Sequence, residues 1–357
     1  MLVRAASATP AAAPRDLRAA PVMAVPALLR EFDLDPAPLL ARAGIAPGLL
    51  DHPENRVPFE AVGRLLTDCA RRTGCAHFGL LVGQRFDNAT LGALGRLLRN
   101  CESVGSALFH LGQSFHTHDR GGLPVTFHLD ARRVALGYAI VHPDMPGKSQ
   151  VDDAAIAIAF NILRQLCGAT WRPINVVFAH RAPADATPYR RLFGPQVRFD
   201  AELSAVVFSA HWLDRPIEGA DPAVRDALLA TFRQATAQDT GALEERVRRA
   251  LYSLAYLDGP ASAPAVARLF GLHERQLRRR LTQEGTSWRE LAHEARCEAA
   301  KHLLRDTRLP LTEIAAALHY ADASSLSRAF RLWTGVTPGA WRASNTPSTH
   351  EVGEVPT

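Results

Sequence analysis

Hydrophobic and polar positions change their period along the chain. From residue 24 to about 115, apolar residues recur at helical spacing in short stretches broken by Gly and Pro. Asp35 is placed to cap a helix starting at Pro36, Gly44 to end it, and Pro58 to open the next, whose Phe59, Val62, Leu65 and Leu66 share one face. Between 123 and 141 the period shortens to two: LPVTFHLD and RRVALGYAIV, separated by Asp130 and Ala131, read as a hairpin of half-buried strands. A helix over 151–167, a strand-like INVVFAH, a short YRRLFG turn and strands at QVRFD and SAVVFS follow. Residues 24–215 therefore predict an α+β domain. A helix over Asp221–Gln238, within a linker at 216–240, leads away from it, with QDTG at 238–241 as the boundary. Beyond 241 strand alternation stops, and residues 241–345 predict a separate all-α domain.

That second domain repeats itself. VARLFGLHERQLRRRL (266–281) aligns with IAAALHYADASSLSRAF (314–330): Val266 with Ile314, Ala267 with Ala315, Leu272 with Tyr320 and, after one extra residue, Leu277 with Leu326, Arg279 with Arg328 and Leu281 with Phe330. Each copy reads as a short helix, a turn and a second helix, the helix-turn-helix pattern. Ser262 and Thr312 are expected to cap the first helices and Asp322 the last, while Gly271 supplies one turn. Small Ala267 and Ala315 sit where two helices must cross closely. Between the copies, Ser287 and Glu290 form a capping box for a long helix through WRELAHEARCEAAKHLL. Its 17 residues would span about 26 Å, a strut on the scale of the ~34 Å between successive major grooves.

On the second helix of each copy the faces separate. Leu277 and Leu281 make one stripe, with Arg275, Arg278 and Arg279 turned away; Leu326 and Phe330 point inward, with Ser324, Ser325, Ser327 and Arg328 outward. Three Arg alone describe an ordinary solvated face. Recurrence of an Arg at the equivalent place in both copies favours a DNA major groove, where Arg forks pair with guanine and hydroxyls accept or donate. Charge agrees: residues 241–345 hold 16 Lys and Arg against 11 Asp and Glu, residues 1–240 hold 25 against 23.

The remaining composition narrows the class. Five scattered Cys without a CxxC pair argue against a disulfide framework or a zinc site and suit a reducing cytoplasm. No apolar run reaches the roughly 18 residues of a membrane span. The Ala, Pro and Arg of residues 1–23, and residues 346–357, read as disordered tails. PGKS at 146–149 lacks the earlier Gly of a phosphate loop, His142 standing in its place. His116, His118 and Asp119 lie close together, and a strand would put both histidines on one side, but they read as ordinary polar residues rather than metal ligands. Asp152 and Asp153 suit the positive end of a helix dipole without catalysis. His128, Tyr138 and His142 are candidates to line a cavity.

The text from AVARLFGLHERQLRRRL through GTSWRELAHEARCEAAKHLL to LSRAFRLWTGVTP resembles the DNA-binding domain of the AraC/XylS transcriptional regulators. The resemblance implies that the third and sixth helices of the domain enter adjacent major grooves, with contacts from Arg275, Arg278, Arg279, Ser324, Ser325, Ser327 and Arg328. Two departures stand out: His273 in place of a capping Ser, expected to weaken the cap, and His319 in place of a turn Gly, expected to strain the turn. VPALLREFDLDPAPLLARAGI and YRRLFGPQVRFDAELSAVVFS more loosely resemble the sensor domains of arabinose- and ornithine-type regulators. The resemblance implies a non-enzymatic, ligand-responsive regulator without cofactor or membrane, whose partners are double-stranded DNA, a small-molecule effector, RNA polymerase and, in many members, a second copy of the chain. An N-terminal domain that only oligomerises, or an enzyme domain joined to a DNA-binding module, are the competing readings.

Overall fold

The computed structural model describes residues 15–140, 145–238, 243–244, 247–248, 251, 263–269 and 272–345. Ser262, Gly271, His142 and the expected boundary at 239–241 lie outside the described residues.

The N-terminal domain opens with strand β1 (Asp16–Arg18), antiparallel to β2 (Arg56–Pro58). Leu17, Ala19 and Val22 are buried, so the tail expected over 1–23 gives way by residue 15 to structure that apolar burial holds down. Helices α1 (Val25–Glu31), α2 (Pro36–Ala43), α3 (Phe59–Thr73), α4 (Phe78–Gln84), α5 (Gly92–Arg99) and α6 (Val104–Ser114) follow. Asp35 accepts from the Ala37 amide and Gly44 takes a left-handed turn, φ 80°, at the end of α2. The hairpin is β3 (Gly122–His128) with β4 (Arg133–Ile140), Gly122 opposite Ile140. Helix α7 (Lys148–Cys167) starts three residues earlier than its periodicity suggests. β5 (Asn175–Val177), β6 (Val197–Arg198) and β7 (Ala205–Ser209) complete a five-stranded sheet in the order β3-β4-β7-β5-β6, antiparallel except for β5 with β6. The segment expected as a YRRLFG turn is a helix, α8 (Thr187–Phe193), because burial of Tyr189 and Phe193 at a spacing of four holds one face inward.

Two apolar cores flank α7. One joins α5 and α6 to the sheet and contains Trp171, Phe178 and Phe208; the other gathers β1, α1 to α4 and Met145. Helix α4 crosses α7 at near contact, since a Cβ on Gly79 would stand 2.0 Å from the Gln150 carbonyl oxygen and one on Gly83 2.3 Å from that of Ala154.

Helix α9 (Pro222–Gln238) leads toward the C-terminal domain. There α10 (Ala263–Leu269) and α11 (Glu274–Gln283) form the first repeat, α12 (Trp288–Asp306) the strut, α13 (Leu311–Ala317) and α14 (Ala323–Thr334) the second repeat, and α15 (Pro338–Asn345) packs back on α12. The strut threads two separate cores: Leu291, Ala292 and Ala295 belong to the first with Leu277 and Leu281, and Ala299, Ala300, Leu303 and Leu304 to the second with Leu326 and Phe330.

Candidate functional site

The repeat holds down to individual hydrogen bonds. The Leu272 amide donates to the Ala267 carbonyl at 2.9 Å, and the aligned Tyr320 amide to the Ala315 carbonyl at 2.8 Å. Both alanines are 1% exposed, as a close helix crossing requires. His273, expected to weaken its cap, instead makes one: its Nδ1 accepts from the Arg275 amide at 3.4 Å, and its own amide donates to Gln276 Oε1 at 3.0 Å. Thr312 does not cap α13; Pro310 holds that position, without a side-chain bond, so Thr312 lies inside the helix. Asp322 accepts from the Ser325 amide at 2.6 Å, and Ser287 from that of Glu290 at 3.3 Å. His319 takes φ 62°, the left-handed conformation that stops α13, and its amide donates to the Ala316 carbonyl. Gly335, at φ 77°, ends α14.

The proposed groove faces differ in readiness. Arg275, Arg278 and Arg279 are exposed on α11 opposite Leu277 and Leu281, both fully buried. Arg278 is already engaged, its Nε donating to Glu274 Oε1 at 2.8 Å. On α14, Ser324 and Arg328 are exposed, with Ser325 and Ser327 half-buried. Ser327 donates to the Ala323 carbonyl, and Arg328 donates to Ser325 Oγ at 3.1 Å, which aims the guanidinium along the helix surface. Leu332, one turn beyond Arg328 on the outer side, is 85% exposed; its spacing of four from Arg328 is the only signal the sequence gives for it.

The N-terminal domain holds a cavity at the seam between its two cores. Leu17, Phe59, Val62 and Leu66 line it from one core, Leu91, Leu111 and Leu136 from the other, and α7 supplies Val151, Ala155, Ile158 and Ile162. Its polar wall is closed on itself. Tyr138 donates to Asp119 Oδ2, and Asp119 Oδ1 accepts from the amides of Gly121 and Gly122. The rings of His118 and Tyr138 flank Phe115 at 6.5 and 6.3 Å. Burial first, and then Asp119, pushes the Tyr138 hydroxyl well above its ordinary pKa. Of the residues expected to line a cavity, Tyr138 does so, whereas His128 is exposed at the end of β3. Residue 118 follows a 3-10 turn rather than sitting on a strand; its ring nitrogens meet Thr117 Oγ1 and the Leu91 carbonyl, each at 3.0 Å.

Sequence reasoning missed a second polar centre. Asp152 and Asp153 lie in the second turn of α7 and are 4% and 1% exposed, so they are core groups rather than dipole-facing surface acids. Asp153 accepts from the Tyr189 hydroxyl at 2.6 Å and pairs with His180 at 3.0 Å. Burial pushes Asp152 up to about 6. Lys148 of the PGKS stretch crosses to the C-terminal domain: its Nζ lies 2.5 Å from His302 Nδ1 and 3.9 Å from Asp306 Oδ2. Burial pulls Lys148 down to about 8 and, with Lys148 beside it, His302 to about 4. Burial alone would raise Asp306, but His302, Lys148 and Arg305 hold its carboxyl well below the usual range. The Arg308 amide adds a second bridge, donating to Asp200 Oδ1 at 2.9 Å.

Two equivalent helix-turn-helix units strung on one strut define a DNA-binding protein with an appended α+β domain. Family models agree and name the class: residues 34–217 match the arabinose-binding N-terminal domain of AraC transcription regulators, and residues 266–344 a helix-turn-helix domain. The chain belongs to the AraC family of transcriptional regulators. It is 29% identical over 321 residues to the HTH-type transcriptional regulator VirS of Mycobacterium tuberculosis, covering 88% of this chain and 93% of that one. It is likewise 29% identical over 325 residues to the ornithine utilization regulator of Pseudomonas aeruginosa, with 88% and 93% covered. Among solved structures, the regulator CdpR of Pseudomonas aeruginosa aligns over 86% of this chain and 96% of its own, at 26% identity and a TM-score of 0.44.

Proposed function

We propose that this chain is a ligand-responsive, sequence-specific activator that reads DNA with α11 and α14. Residues 24–215 act as the sensor, 216–240 as the link and 241–345 as the reader. The observation that carries this reading is the pair of outward arginines, Arg279 and Arg328, at equivalent places on two helices whose inner faces are pinned to one strut. A single chain so built offers two reading heads in fixed register, and the groove contacts fall to Arg275, Arg278 and Arg279 in one and Ser324, Ser325, Ser327 and Arg328 in the other. DNA is the first partner, RNA polymerase and a small effector the next, and a second copy of the chain the last. The cytoplasm is the proposed compartment, in keeping with five free, buried cysteines. Among the described residues no helix is long and apolar enough to cross a membrane. Control of a neighbouring metabolic operon is supported by the ornithine utilization regulator among the relatives.

Arg279→Ala and Arg328→Ala test the placement. Each is expected to cost about 1 to 3 kcal/mol of specific DNA affinity and to relax preference at one part of the site if the Arg reads a base. A quantitative gel shift on a selected site measures both, and unchanged affinity in both variants would displace these helices from the groove.

A further inference from the structure

The cavity of the N-terminal domain has a chemistry of its own, and it differs from what a sugar or amino-acid sensor would need. We infer that it takes a compact, uncharged, largely apolar effector, a single ring or a short hydrocarbon chain with at most one polar group. This rests on the reading of residues 24–215 as a sensor.

Three observations support the assignment. The free space is about 90 Å³, smaller than the ~150 Å³ of an apolar cavity that admits benzene, which limits the occupant to one small ring at most. The walls are aliphatic and aromatic: Phe59, Leu66, Leu111, Phe115 and Ile158 surround the space. The polar atoms at its rim are already spent, since Tyr138 and two backbone amides hold Asp119 while Thr117 and the Leu91 carbonyl hold His118. The cationic rim residue, Arg18, is answered by Glu54 at 2.5 Å. A polyol or a zwitterion placed here would lose its hydration without replacement bonds, at a cost of kilocalories per group, whereas an apolar body gains from every buried area it covers.

The location gives the occupant leverage. Helix α7 lines the cavity with Val151, Ala155, Ile158 and Ile162, and its first residue, Lys148, meets His302 and Asp306 of the DNA-binding domain. An occupant that displaces α7 displaces that contact.

Titration of the full chain with benzene and with phenol, followed by calorimetry and by the melting temperature, tests the assignment. Saturable binding of both probes is expected, with a rise in melting temperature, and no binding of L-arabinose or L-ornithine at the same concentrations. Ala155→Leu fills the space from α7 and is expected to abolish probe binding while the circular dichroism of the fold is kept; Ile162→Phe fills it two turns on and serves if the first variant does not fold. Equal probe binding by the wild type and a folded filled variant, uptake of neither probe, or uptake of arabinose or ornithine instead would overturn the assignment. DNA selection by the same preparation separates the two readings: a chain that selects DNA but takes up neither probe contradicts the cavity assignment alone, and one that takes up probes but selects no DNA contradicts the regulator reading alone.

Discussion

At the scale of single residues, the chain puts its strongest electrostatics inside. Burial works against a charged His180, yet Asp153 at 3.0 Å, the Arg181 carbonyl and Asp152 outweigh it and push its pKa up to about 9. An unfolded His titrates near 6.5. The folded form thus binds the proton more tightly, so this pair contributes stability in full below about pH 6.5 and loses it as pH rises through about 9. Melting curves of the wild type and His180→Gln from pH 6 to pH 10 check the sign: the gap between them is expected to narrow across that window, and a constant gap would contradict the charged pair. Sequence could not show this pair, because Asp153 and His180 are 27 positions apart and polar residues near a helix start read equally well as solvated. The caps at Asp35 and Asp322 were legible for the opposite reason, although Thr312 and His273 were misjudged. Asp35 and Asp322 act on amides two and three positions away, so the whole interaction is written in one short stretch.

Among elements, α7 and α12 organise their domains in different ways. Helix α12 serves two small cores in succession, Leu291, Ala292 and Ala295 in one and Ala299, Ala300, Leu303 and Leu304 in the other, a division that its single apolar face does not announce. Helix α7 is gripped by neighbours on several sides, with α4 the tightest. Gly→Ala in a helix ordinarily gains about 1 kcal/mol, and Gly112 on α6, where an added Cβ would meet nothing within 4 Å, should show that gain. Gly83→Ala should do the reverse, losing about 1 to 3 kcal/mol, because the new methyl would meet the Ala154 backbone and the Ala157 side chain at 2.3 and 2.7 Å. Thermal denaturation of the two variants decides it: opposite shifts are expected, and a parallel rise would mean that α4 and α7 are not packed this closely. The periodicity of α4 gave no hint of the crossing, since two glycines four apart also suit a loose, poorly formed helix. The same blindness turned α8 into an expected turn, seven residues being too few for a helical period to register.

Across the whole molecule, the domain order was readable and the connection between the domains was not. Local period separates an α+β half from an all-α half, and repetition marks the reading heads. The contact of Lys148 with His302 and Asp306 joins residues about 150 apart, and nothing in PGKS or in AAKHLLRD alone points to it. That contact joins the two domains at the first residue of the helix that lines the apolar cavity. The most direct test of the account is selection of binding sites by the full chain from a randomised double-stranded DNA library. An enriched site of two short parts about one helical turn, ~10 base pairs, apart is expected, with Arg279→Ala blurring one part and Arg328→Ala the other. Failure to enrich any sequence, or a site whose two parts are indifferent to both substitutions, would contradict it.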